Sequence, residues 1–194
     1  MTVTESDLLQ QLASSFATLD DLVCSHSNPP PKLLFDRIDE DDWNILRWKP
    51  RKLRTTRAGI DSLRHAGPLP TLFETFAIEY AWLDVDLSIC RLFSNPPVGD
   101  VAELSNAMFA DPVLNDILLP VGLVRFALAS DGCYDPVCFD LNRSAGGDCP
   151  VVRLTHESIL THGRIGGRDD IFDSFRDLAL AIVAQAETRK TTEP

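Results

Sequence analysis

The sequence predicts a mixed chain in which amphipathic helices stand at both ends and antiparallel strands lie between them, and three stretches carry that expectation. Leu8, Leu12, Phe16, Leu19 and Val23 recur at steps of three and four, the spacing of one apolar helix face, over residues 5 to 23. The stretch VRFALASDGCYDPVCFDLN, residues 124 to 142, places Val124, Phe126 and Leu128, then Val137, Phe139 and Leu141, at alternate positions around SDGCYDP. Alternation marks strands, and Asp, Gly and Pro tolerate the tight backbone that joins them, so a β-hairpin is expected. Residues 170 to 187 close the pattern with Ile171, Phe175, Leu178 and Ile182 on one stripe, a second amphipathic helix.

The elements follow in order. Thr4 or Ser6 can cap the first helix, and consecutive prolines in SNPPPK make Ser25 to Lys32 a linker, because proline lacks the amide donor and restricts its predecessor. Residues 33 to 56 have no clean period, leaving Trp43, Ile45, Leu46 and Trp48 as a short strand or a loop anchored by tryptophans. Thr56 to His65 is expected to be helical, and Gly67-Pro68 and Leu69-Pro70 end it before a helix bearing Leu72, Phe73, Phe76, Ala77 and Tyr80. In WLDVDLSICRLF, Leu83, Val85, Leu87 and Ile89 alternate with Asp84, Asp86 and Ser88, which predicts one half-buried strand. Asp100 and Glu103 have capping-box spacing ahead of a helix through Met108, and Asp111-Pro112 starts a short turn. After the hairpin, Gly146-Gly147 turns the chain into a third strand with Val151, Val152 and Leu154, and the segment from Gly163 to Arg168 reads as a flexible link to the last helix.

Composition narrows the function classes. With 44% apolar residues, 194 residues are enough for one buried core. The apolar run Ile117 to Val124 is far short of the ~20 residues that span a bilayer. Glu5 and Asp7 stand where a secretory signal would be basic, so a cytoplasmic protein that does not enter membranes is expected. Cys24, Cys90, Cys133, Cys138 and Cys149 are odd in number and scattered, which predicts reduced thiols. The net charge of −11 argues against direct binding of nucleic acid and favours a basic partner. Residues 47 to 64 carry seven cations against Asp61 alone, +6 in all, and read as a solvated face or as a small basic patch with Trp43 and Trp48 as stacking groups.

No motif announces catalysis or a cofactor. Cys133-x4-Cys138, with Cys149 and His156 beyond, has zinc-ligand types without the paired knuckle, and Asp131 and Asp135 lack the calcium-loop spacing. No metal and no cofactor are therefore expected. Cys133 with His156 and Glu157 leaves open a hydrolase alternative, in which histidine would activate the thiol.

Phe126-Ala127, Asp131-Gly132, Cys138-Phe139-Asp140-Leu141, Pro150-Val151, His156-Glu157 and Ser174-Phe175 occur in an order that resembles the C-terminal half of the SUKH superfamily. That group contains the yeast Smi–Knr type cell-wall-synthesis regulators and many bacterial immunity proteins. Leu69-Pro70 with Phe73 and Phe76 resembles the family's helix motif, although no glycine pair follows, and residues 1 to 60 have no counterpart.

The resemblance implies an α+β fold, a mainly antiparallel sheet backed by helices and used as a binding platform. Residues 1–60 are expected from their own pattern to be a helix plus a charged, proline-containing extension, and the resemblance implies 61–188 as the SUKH-like domain, leaving 189–194 as a tail. It further implies a non-enzymatic immunity protein that neutralises a basic toxin domain, nucleases prominent among them. A scaffold acting on a housekeeping partner is the alternative of another class. The candidate partner contacts are Asp131, Tyr134 and Asp135 in the hairpin turn, together with Asp84 and Asp86 on the outer face of their strand.

Overall fold

A computed structural model describes residues 4–20, 22–25, 35–38, 45–97, 100–130, 132 and 134–192. Helix α1 spans Glu5–Leu19, with the Thr4 hydroxyl oxygen accepting the Asp7 N–H at 3.2 Å. It stops before Val23 because Asp20 leaves the helix in extended backbone, and its carboxylate accepts the Asp86 N–H at 2.9 Å. Strands β1 (Val23–Ser25), β2 (Phe35–Ile38) and β3 (Ile45–Trp48) form a three-stranded antiparallel sheet in the order β1-β3-β2. Of the short strand or loop left open near the tryptophans, the strand is found as β3, and Trp48 is buried in the main core, which removes it as a stacking group. Trp43 lies outside the described residues.

Strand β4 (Arg51–Lys52) pairs with β5 (Tyr80–Ala81), and helix α2 (Thr71–Glu79) runs into β5. The helix expected over Thr56 to His65 is only a 3-10 turn, Ile60–Leu63. The end of α2 is fully accounted for by neighbours, as orphan helix carbonyls require. The Ala77 and Tyr80 carbonyls accept from Asn95 Nδ2 at 2.9 and 3.0 Å and from Arg57 Nη2 at 2.7 and 2.9 Å. The Ile78 and Glu79 carbonyls accept the backbone N–H groups of Arg57 and Leu53.

A six-stranded antiparallel sheet organises the rest, and every strand pairs with its neighbour in sequence. Its members are β6 (Val85–Asp86), β7 (Cys90–Leu92), β8 (Leu123–Ala129), β9 (Pro136–Asp140), β10 (Val151–Leu154) and β11 (Arg168–Phe172). Helices α3 (Ala102–Phe109) and α4 (Pro112–Leu118) join β7 to β8, α5 (His156–His162) joins β10 to β11, and α6 (Phe175–Thr192) closes the chain. The molecule is therefore α+β, as expected. Further differences from the sequence reading are that β6 and β7 are two strands in place of one, α4 is a helix where a short turn was expected, α5 follows β10, and β11 occupies part of the segment read as the start of the last helix.

Both faces of the sheet are covered. Val137 and Phe139 of β9 enter the main core with α1, α2 and α6, whereas Cys138 between them enters a smaller core with Leu114 and Leu118 of α4 and Ile159 of α5. The main core centres on four rings: Phe126 stacks on Phe139 at 3.9 Å, and Phe73 and Phe175 meet both edge-on. A bulge between Arg125 and Ala127 lets consecutive Phe126 and Ala127 both reach this core. Among the described residues, no helix is long and apolar enough to cross a membrane.

The start of α6 is capped twice. Ser174 Oγ accepts the Asp177 N–H at 3.0 Å, and the distant Asp148 carboxylate accepts the N–H groups of Phe175 and Arg176 at 2.9 and 3.2 Å. An anion against exposed helix donors is favourable in hydrogen bonding and in dipole terms alike. Asp148→Ala is expected to lower stability by about 1–2 kcal/mol, read as the shift in urea midpoint at unchanged slope. A midpoint within experimental error of the parent would show that Ser174 suffices alone.

Candidate partner-binding surface

The β8–β9 hairpin is present, with Leu123↔Asp140, Val124↔Phe139 and Arg125↔Cys138 in register. Its turn closes through the Ala129 N–H donating to the Asp135 carbonyl at 2.9 Å. Gly132 and Tyr134 both take left-handed backbone, φ +76° and +56°. For glycine this is free, but for tyrosine it places Cβ near the following carbonyl and costs about 1 kcal/mol. The Tyr134 side chain is nonetheless 62% exposed, so no burial in the folded chain offsets that cost. Asp131 and Cys133 lie outside the described residues.

The second wall is the β6–β7 hairpin, paired Val85↔Leu92 and Asp86↔Arg91. Its tight turn needs no glycine or proline. Asp86 Oδ1 accepts the Ser88 N–H at 2.8 Å, and Ser88 takes φ +64°. Asp84 therefore precedes the strand, and its carboxylate accepts the Ser94 N–H at 2.8 Å across the hairpin while the residue stays exposed. Asp86 is half-buried and remains on the face away from the main core.

These two hairpins meet. Asp86, Arg91, Leu128, Ser130, Gly132 and Tyr134 line one small concavity of about 70 Å³. Two of the expected contact residues, Asp86 and Tyr134, thus share one rim. Arg91 and Ser130 on the same rim were not anticipated; the signal for Arg91 is its register opposite Asp86, which becomes readable only once the turn at Ser88 is known.

Asp135 requires a correction, because it was expected to be exposed in the turn. Its side chain is 13% exposed and its Oδ2 accepts from Arg153 Nε and Nη2 at 2.9 and 2.7 Å. Oδ1 accepts the His156 N–H at 2.9 Å, at the start of α5. The carboxylate is spent inside the fold, joining β9, β10 and α5, and is not offered to a partner.

The described thiols are chemically quiet. Burial pushes the Cys90, Cys138 and Cys149 thiols up to about 12, against the opposing charges of Arg125 and Arg168 at Cys138. They are protonated and sealed at neutral pH, so none of the three is a nucleophile or a ready thiolate ligand. Among the described residues, no group of three His, Cys, Asp or Glu side chains gathers as metal ligands would. A comparison of the sequence with protein-family models and with curated proteins finds no match in either.

Proposed function

We propose that this chain is a non-enzymatic binding domain that neutralises a basic toxin, of the nuclease kind, by covering the cleft with which the toxin grips nucleic acid. The observation that carries this reading is the rim where Tyr134 and Asp86 converge from separate hairpins. An exposed tyrosine held in costly backbone is an unusual expenditure for a turn, and backbone strain concentrates where a residue is needed in one place. Tyrosine is also among the side chains that dominate interface energy, since it buries a large rigid ring and still offers a hydroxyl. A net charge of −11 would steer the domain toward a basic cleft and slow its departure from one. The resemblance of its motif order to that of the SUKH superfamily supports the same role.

The test is co-expression with toxin domains encoded beside the gene, followed by titration of the purified pair. Tyr134→Gly suits the geometry because glycine accepts the left-handed backbone without strain. We expect it to weaken the complex about thirtyfold, the effect of losing a hot spot, while the fold becomes no less stable. Failure to protect cells and to bind any such toxin would end the proposal. Recovery of an endogenous protein from the host in the toxin's absence would instead favour a scaffold with a housekeeping partner.

A further inference from the structure

A second concavity has the opposite electrical character. Arg51, Lys52, Arg54, Thr55, Arg57 and Pro97 line an open hollow of about 610 Å³ beside the C-terminal end of α2. Among the described residues, no carboxylate side chain lines it. Four cations on one wall repel one another, and in a chain of net charge −11 such a cluster is not a by-product of general basicity.

Its members are not equally satisfied. Lys52 meets Glu79 at 3.2 Å and lies 5.6 Å from the centre of the Tyr80 ring. Arg57 is positioned by neutral acceptors: its guanidinium donates to the carbonyls of Pro96, Ala77 and Tyr80 at 2.7, 2.7 and 2.9 Å, with a longer contact of 3.4 Å to that of Asp100. Among the described residues no carboxylate comes within ion-pair distance of it, and its buried Nε meets no acceptor. The negative end of the α2 dipole accounts for Arg57 being tolerated there. It does not account for Arg54, which is exposed, lines the same hollow and makes no hydrogen bond or ion pair with the described residues.

We propose that this hollow binds a small phosphorylated molecule, with Arg54 closing on the phosphate and Lys52 and Arg57 supplying the field that holds it. The planar donor fork of arginine matches a phosphate oxyanion, and the volume lies in the range of small-ligand sites, about 300–1,000 Å³. A nucleic-acid strand is the wrong occupant, because outside residues 47–64 the chain carries −17 and would repel a polyanion that runs beyond the hollow. The site is separate from the Tyr134 rim and does not depend on toxin binding.

The experiment is calorimetric titration of the full chain with inorganic pyrophosphate at low salt. Saturable one-site binding with Kd below about 1 mM is expected. Arg54→Ala should weaken it about tenfold, as removal of a charge-assisted contact does. Arg164→Ala, which removes an exposed cation after α5, should leave it unchanged. Absence of saturable binding overturns the proposal, as does equal weakening by both variants, which would reduce the effect to overall charge. Tighter binding of a hexaglutamate peptide than of pyrophosphate overturns it as well, by making the hollow a peptide site.

Discussion

Replacing Phe73 with alanine is expected to remove about 3–5 kcal/mol of folding stability. Phe73 is 1% exposed on the inner face of α2, and its ring centre lies 5.7, 5.0 and 5.4 Å from those of Phe126, Phe139 and Phe175. One ring therefore ties α2 to β8, β9 and α6. Its removal forfeits the transfer energy of the ring and leaves a cavity that three other rigid rings cannot collapse to fill. Domains are stable by only about 5–15 kcal/mol, so the variant should stand at the edge of folding. Phe73→Leu, which keeps most of the volume, should cost well under half as much. Urea unfolding of both variants decides the matter; a loss below about 1 kcal/mol for alanine would mean the four rings do not form the centre of the core.

The second large effect is expected at Asp140, at the end of β9. Its side chain is 3% exposed and its Oδ2 accepts from Arg143 at 2.6 Å and from Arg168. Arg143 also grips Asp170 through two bonds of 2.7 and 2.8 Å, so that β9, the 3-10 turn after it and the edge strand β11 are held by one network. Asp140→Ala leaves two guanidinium groups facing a buried void. Breaking a buried pair costs about 3–5 kcal/mol, but both arginines are more than one-third exposed and can find water, so about 2–3 kcal/mol is expected.

The same carboxyl makes stability depend on pH. Burial pushes its pKa up, but the hydrogen bonds and charges of Arg168 and Arg143 outweigh that and hold it below the ordinary 3.8. Asp170 is lowered too, chiefly by its bond from Arg143. A carboxyl depressed in the folded state contributes its full stability above the unfolded value and loses it as pH falls through the folded one. Stability should therefore be flat from pH 7 to about 5 on this account and decline below 3.8, and the decline should be shallower in Asp140→Asn. Identical acid limbs in the two proteins would show that Asp140 does not drive the loss.

Local chemistry made some of this architecture readable. The β8–β9 hairpin announced itself because alternation on both flanks agrees with an Asp-Gly turn, and α1 because its apolar spacing begins behind a threonine cap. The apolar Val23 extended the periodic pattern past Asp20, where a bond to Asp86 sixty-six positions away sets the true end. The β6–β7 turn was hidden because Leu83, Val85, Leu87 and Ile89 keep alternating through it, while the turn-forming work falls to the Asp86 carboxylate. Strand β11 was hidden for a different reason: Arg168-Asp169-Asp170 has no apolar signature, and ion pairs to Arg143 and Asp140 help hold it in the sheet. At the candidate surface, Tyr134 could be read as a turn residue open to solvent. Asp135 could not be told apart from it, since its partner Arg153 is eighteen positions on.

Because each strand of the large sheet joins the next one along the chain, successive pairings close loops of limited length, and the entropy lost at each step grows only slowly with loop size. The contact of α1 with α6 is another matter, for the Arg189 guanidinium reaches the Leu19 carbonyl across 170 positions. Much of the topological cost of this molecule falls at that seam, where the earliest helix, which also meets α2 through Phe16 and Phe76, must wait for the last before its apolar face is fully covered.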